Sequence, residues 1–197
     1  HHANLALLGV GCAVLDIVRE VERYPGEDEE VRALTQDWRL GGNVANTLSL
    51  LRQLGHACAW CGTLADDAAS DEILAAMVEL GIDTSAARRW TGYQSPLSCV
   101  TLSRATGSRS IVHFRDLPEL EAQDFTIQPL SGYGWLHFEG RNPVETSAML
   151  RDAAARRPDL PISLEIEKPR PGLDSLLVGP WILFFSRAYV LASGHRE

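Results

Sequence analysis

Asp16, Gly41, Gly42, Asn43 and Asn46 are residue types suited to holding a polyol. A carboxylate accepts hydroxyl hydrogens, an amide both donates and accepts, and a glycine lets the backbone close to contact distance. Such a mixture does not suit an apolar ligand. In "WRLGGNVANTLSLLRQLG", Val44, Leu48, Leu51 and Leu54 recur at helical spacing, so Asn43 and Asn46 share one face of the predicted helix. Capping of that helix accounts for Asn43 but leaves Asn46, one turn on, without a job.

Further polar groups recur at the ends of other apolar runs. "LHFEGRN" closes on Glu139, Arg141 and Asn142, and Arg109 lies in "GSRSIV". Arg109 and Arg141 have the geometry for a phosphate or a carboxylate. "LEIEKPR" sets Glu165 and Glu167 on one strand face with Lys168 beyond, where surface charge pairing is the plainer alternative. "GVGCAV" imitates a dinucleotide fingerprint, but its sixth position is Val14 and no strand with a terminal acid follows at the required interval.

The cysteines are Cys12, Cys58, Cys61 and Cys99. Strand-like alternation in "HACAWCGTL" points Cys58 and Cys61 to opposite faces, unlike a redox pair or a zinc site. Reduced core cysteines are expected, which fits a cytoplasmic protein.

The elements that must position these groups alternate. "LALLGVG" reads as a buried strand, and Asp16 is expected to close it at the end where ligands sit. A helix stopped by Gly55, the strand "ACAWCGTL" and the helix "DEILAAMVELG" follow. Then come the strand "YGWLHFEG", a helix opening at Pro143, and the strands "PISLEIE" and "WILFFS". This rhythm predicts an α/β fold, a doubly wound and mostly parallel sheet with helices on both faces. Residues 17–40 and 97–115 interrupt it with half-polar strands, turning at Pro25-Gly26 and at Thr106-Gly107-Ser108. These two insertions are expected to pair into a small antiparallel sheet, a lid over the carboxyl edge of a single domain spanning 1–197.

Composition narrows the function classes. In 197 residues, Lys+Arg 18 against Asp+Glu 26 gives a net charge of −8, which argues against a nucleic-acid binder. "LLVGPWILFF" is too short for a membrane span and is broken by Pro180, and "NLALLGVGCAVL" lacks the basic flank of a signal peptide. His1 and His2 read as a tag remnant.

Taken together, the first strand ending "VLD", "RYPGEDEEVRALTQDWRLGGNVAN", "GSRSIV", "LHFEGRN" and "LEIEKPR" resemble the ribokinase-like (PfkB) family of carbohydrate kinases, the last two its ketohexokinase branch. The resemblance implies a Rossmann-like core whose β lid closes a sugar site and clasps a second lid in a homodimer. It implies transfer of the γ-phosphoryl of ATP, with Mg2+, to a hydroxyl of a ketohexose or related small sugar. Carried over, Asp16, Gly42, Asn43 and Asn46 look like sugar contacts, with Glu139 and Arg141 also on the substrate side. Arg109 looks like a lid residue reaching the ligand or phosphate, and Asp28 like one that enters the partner's site. Other readings are a ribokinase-type branch, or a non-catalytic sugar-binding or lid-dimerisation module.

The family's general base lies in a Gly-Ala-Gly-Asp motif that does not occur in these residues, so no catalytic base and no metal ligand is assigned. The sequence thus reads as part of a longer kinase. On that reading the chain alone is expected to be inactive and to expose "WILFF" as an apolar edge.

Overall fold

The computed structural model describes residues 5–194; the tag-like His1 and His2 lie outside the described residues. The chain opens with β1 (Ala6–Val10), β2 (Val14–Val21), β3 (Thr35–Gly41), α1 (Asn43–Gln53), β4 (Cys58–Cys61), β5 (Thr63–Ala65), α2 (Ala68–Glu79) and β6 (Ile82–Asp83). It continues through β7 (Arg88–Trp90), β8 (Leu97–Ser103), β9 (Arg109–Phe114), α3 (Ala122–Thr126), β10 (Tyr133–Glu139), α4 (Pro143–Arg156) and β11 (Ile162–Ile166). A 3-10 turn (Leu173–Leu176), β12 (Ile182–Phe185) and α5 (Arg187–Ala192) end it.

A parallel sheet of order β12-β11-β10-β1-β4-β6 forms the core, as the alternating rhythm requires. Its apolar runs pack on both faces. One face buries Leu8, Leu136, Phe138, Leu164 and Phe125 with Met149 and Leu150 of α4, and the other buries Trp60 with Val44 and Leu48 of α1 and Ile73 and Met77 of α2. Each such side chain contributes about 1.5–3 kcal/mol on burial. Cys61 falls in the first cluster and Cys58 in the second, so the two thiols do face opposite ways. Burial pushes the Cys61 thiol up to about 12, with Asp124 adding to it.

Several local expectations need correction. Asp16 does not close the first strand: β1 stops at Val10, and after a corner at residues 11–13 Asp16 is already inside β2. The corner is fixed, because Gly11 N donates to Cys61 O, Trp60 Nε1 to Gly11 O and Cys12 N to Glu139. "ACAWCGTL" is two strands, since Gly62 turns the chain from β4 into β5, which pairs with β7 in a separate ribbon. Leu54 is exposed rather than buried.

The lid strands form one four-stranded sheet, β3-β2-β8-β9. It is mixed and not antiparallel throughout, because β2 and β8 run parallel, each leaving the core from the same edge of the main sheet. β2 and β3 are joined by the long loop 22–34 rather than by a tight turn at Pro25-Gly26.

Candidate sugar site at the carboxyl edge

Asp16 sits on β2 opposite Arg39, two residues before the β3 strand meets α1. Its carboxylate packs directly on Gly41, where an added Cβ would collide with Asp16 Oδ2. Gly42 is the N-cap of α1 at φ 99 and ψ 140, and a Cβ on it would lie 2.6 Å from the Cys12 carbonyl oxygen. The room these glycines leave is therefore filled by the chain's own Asp16 and Cys12, which sets the carboxylate beside the residue preceding the α1 N-cap.

Asn43 is the first residue of α1 and does not cap it. Its Nδ2 donates to Glu167 Oε2 at 3.2 Å, which ties the helix start to the end of β11. Asn46 is exposed, and its side chain makes no hydrogen bond among the described residues. Asp16, Gly42, Asn43 and Asn46 are thus brought to one rim of the sheet.

Glu139 and Arg141 reach this rim from beneath. Glu139 is 6% exposed and accepts Cys12 N at 3.0 Å and the Cys12 thiol at 3.6 Å. Burial raises its pKa, against the pull of Arg141. Arg141 lies 3.6 Å from Glu139 Oε1 and donates through Nε and Nη2 to Glu119, at 3.0 and 2.8 Å; Arg115 pairs with the same Glu119 at 3.1 Å. A small, partly open cavity of about 20 Å³, room for one water, lies among these groups.

Glu165 lines a half-open cavity of about 320 Å³ with Thr47, His137, Phe184, Phe185 and Ser186. Burial, then Glu139 and Glu167, push its carboxyl up to about 7. His137, held at Nδ1 by Ser163 Oγ at 2.8 Å, is pushed down to about 4 by burial. The two act oppositely on stability. The folded state keeps a proton on Glu165 that the unfolded chain, at an ordinary 4.5, has released, so stability falls as pH rises from about 4.5 to about 7. His137 stays neutral where the unfolded chain protonates, so stability rises with pH from about 4 to about 6.5. Glu165→Gln removes only the falling arm. Glu165 is half-buried, so the full linkage value is discounted to about 1–2 kcal/mol. Urea denaturation should show the variant gaining that much on the unaltered protein between pH 5 and pH 8; a gap constant with pH would contradict the assignment.

Two expected contacts stand apart. Arg109 begins β9 opposite Leu102, four residues and about 13 Å along the strand from His113, which stands level with Asp16. Asp28 is exposed in the loop 22–34 at φ 60, beyond the end of β2.

The pfkB family carbohydrate kinase signature matches residues 6–189. The chain belongs to the PfkB family of carbohydrate kinases. Mouse (Mus musculus) ketohexokinase is 37% identical over 189 residues, covering 92% of this chain and 63% of that protein, so the chain spans less than two-thirds of that relative's length. In fold it is similar to an Agrobacterium tumefaciens protein assigned as a ribokinase (TM-score 0.82, 23% identity, 99% of this chain and 64% of that one). It is likewise similar to ribokinase from Giardia lamblia (TM-score 0.77, 17% identity, 96% and 60%).

A PfkB kinase uses a nucleotide, and the corner at residues 11–13 is not free to cradle its phosphates. The backbone N–H groups of Gly11 and Cys12 are consumed internally, and the N-terminus of α1 faces the Asp16 carboxylate, which would repel a phosphate. No cluster of three His, Cys, Asp or Glu that could hold a metal occurs among the described residues.

The sequence reading missed His113, Ser98, Arg115 and Glu119. Arg109 and His113 share parity on their strand, but which face that parity serves depends on pairing with β8 and β2. Glu119 lies in a loop, where no periodicity marks it.

Proposed function

We propose that this chain supplies the sugar-binding half of an ATP-dependent kinase that phosphorylates a hydroxyl of a ketohexose or related sugar. The observation that carries the reading is the placement of Asp16 against Gly41 at the N-terminus of α1, beside Asn43 and Asn46, under a four-stranded lid. There the Asp16 carboxylate accepts from two sugar hydroxyls, and the Asn43 and Asn46 amides donate to and accept from their neighbours. Glu139 acts through the backbone, fixing Cys12 and so the seat of Gly42. MgATP supplies the phosphoryl group when bound. The similarity to ketohexokinase supports a ketose over an aldopentose.

Exposed Trp38, Ile111, Val112 and Phe114 on the edge strands of the lid support a homodimer through this sheet, in which Asp28 reaches the partner's site and Arg109 the transferred phosphate. The free cysteines, three of them buried, support a reducing, cytoplasmic setting, and no described helix is long and apolar enough to cross a membrane.

Coupled ADP release by the complete kinase against D-fructose, D-tagatose and D-ribose tests the reading. Activity highest on a ketohexose is expected. Asp16→Ala should raise the sugar KM by tens- to hundreds-fold, and Asn43→Ala or Asn46→Ala by about 5- to 10-fold each, at about 1 kcal/mol or more per hydrogen bond. An unchanged sugar dependence in Asp16→Ala removes the site.

A further inference from the structure

Four residues stand side by side across one face of the lid. Arg39 pairs with Asp16, Asp16 with Ser98, and Ser98 with His113. Residues directly opposed in a sheet point the same way, so His113 shares the face of the site carboxylate. Its imidazole is depressed by burial first and then by Arg141 and Arg115, with Lys168 adding and Asp16 opposing. Arg141 and Lys168 follow the core strands β10 and β11, so the ring, although solvent-exposed, stands on the side of the lid that faces the core. Ser98 Oγ meets His113 Nδ1 at 3.1 Å, and no hydrogen bond engages Nε2 among the described residues.

We propose that His113 is a lid contact of the sugar: Nε2 exchanges a hydrogen bond with a sugar hydroxyl while Ser98 holds the ring through Nδ1. The proposal rests on the sugar-kinase reading of the same site. The row from Asp16 to His113 spans two strand spacings, about 10 Å, which accommodates a hexose with a hydrogen bond of about 2.8 Å at either end. A hydroxyl both donates and accepts, so either neutral tautomer of the imidazole is complementary to it. The groups facing the ring leave it neutral near pH 7, which spares the site a second cation beside Arg39.

Calorimetric titration of the protein with D-fructose separates the outcomes. His113→Phe is expected to raise Kd by about 5- to 30-fold without changing the melting temperature, because the residue is exposed. A glutamine places its amide near Nε2 and an asparagine near Nδ1. His113→Gln should therefore restore part of the affinity and His113→Asn little, with Ser98→Ala costing about 2- to 5-fold. A purely structural role through Ser98 would reverse the order of the two rescues. Unchanged affinity in His113→Phe, or rescue by Asn and not Gln, overturns the contact. Should Asp16→Asn abolish binding while His113→Phe does not, only this contact falls. Should the unaltered protein bind neither D-fructose nor D-ribose, the reading of the site falls with it.

Discussion

Gly42→Ala is expected to destabilise the fold by about 3 kcal/mol or more and to weaken sugar binding in the fraction that still folds. At φ 99 and ψ 140 an L side chain is strained by about 1–3 kcal/mol, and the added Cβ would meet the Cys12 carbonyl at 2.6 Å. Retreat of Cys12 would strain the hydrogen bond from its amide to Glu139. Gly55→Ala is the internal control: its φ is 88, but nothing lies within 4 Å of the added carbon, so strain alone is felt, at about 1 kcal/mol. Denaturant unfolding of both variants reads the difference. Equal losses would show that the contact with Cys12 does not restrict Gly42.

Arg141→Met should cost about 3 kcal/mol at pH 8, and less as the pH falls. Its guanidinium is the cation facing the buried Glu139, whereas Glu119 keeps Arg115. Removing one member of a buried pair leaves the other uncompensated. Glu139 can then escape only by taking up a proton, which is easy at low pH and costly at high pH. With its carboxyl already raised by burial, the variant's folded state binds a proton that the unfolded state releases, so its stability declines as pH rises past the ordinary carboxylate value. Melting temperatures of variant and unaltered protein should converge toward pH 5. A loss of sugar affinity with no pH-dependent loss of stability would instead make Arg141 a direct substrate contact.

That alternative shows where sequence reasoning stopped. "HFEGRN" is legible as the end of a core strand, and β10 does end at Glu139. The turn at Gly140 and Asn142, the latter at φ 41, aims Arg141 back at Glu119, a residue with no distinguishing pattern around it. The strand of Asp16 is not legible in the sequence, because the corner between β1 and β2 is built from the hydrogen bonds of Trp60, Cys61 and Glu139, all distant in sequence.

From the sequence alone, the alternation of β and α units, the sugar-compatible set Asp16, Gly42, Asn43 and Asn46, and the PfkB resemblance were already legible. Those properties are local: side-chain period, residue type and spacing carry them. Tertiary structure alone decided that β2 and β8 run parallel in the lid, that Gly41 and Gly42 make room for Asp16 and Cys12, and that His113 stands in the row of Asp16. Strand register and buried ion pairs join residues far apart in the chain, and a one-residue slip in register would turn His113 to the opposite face.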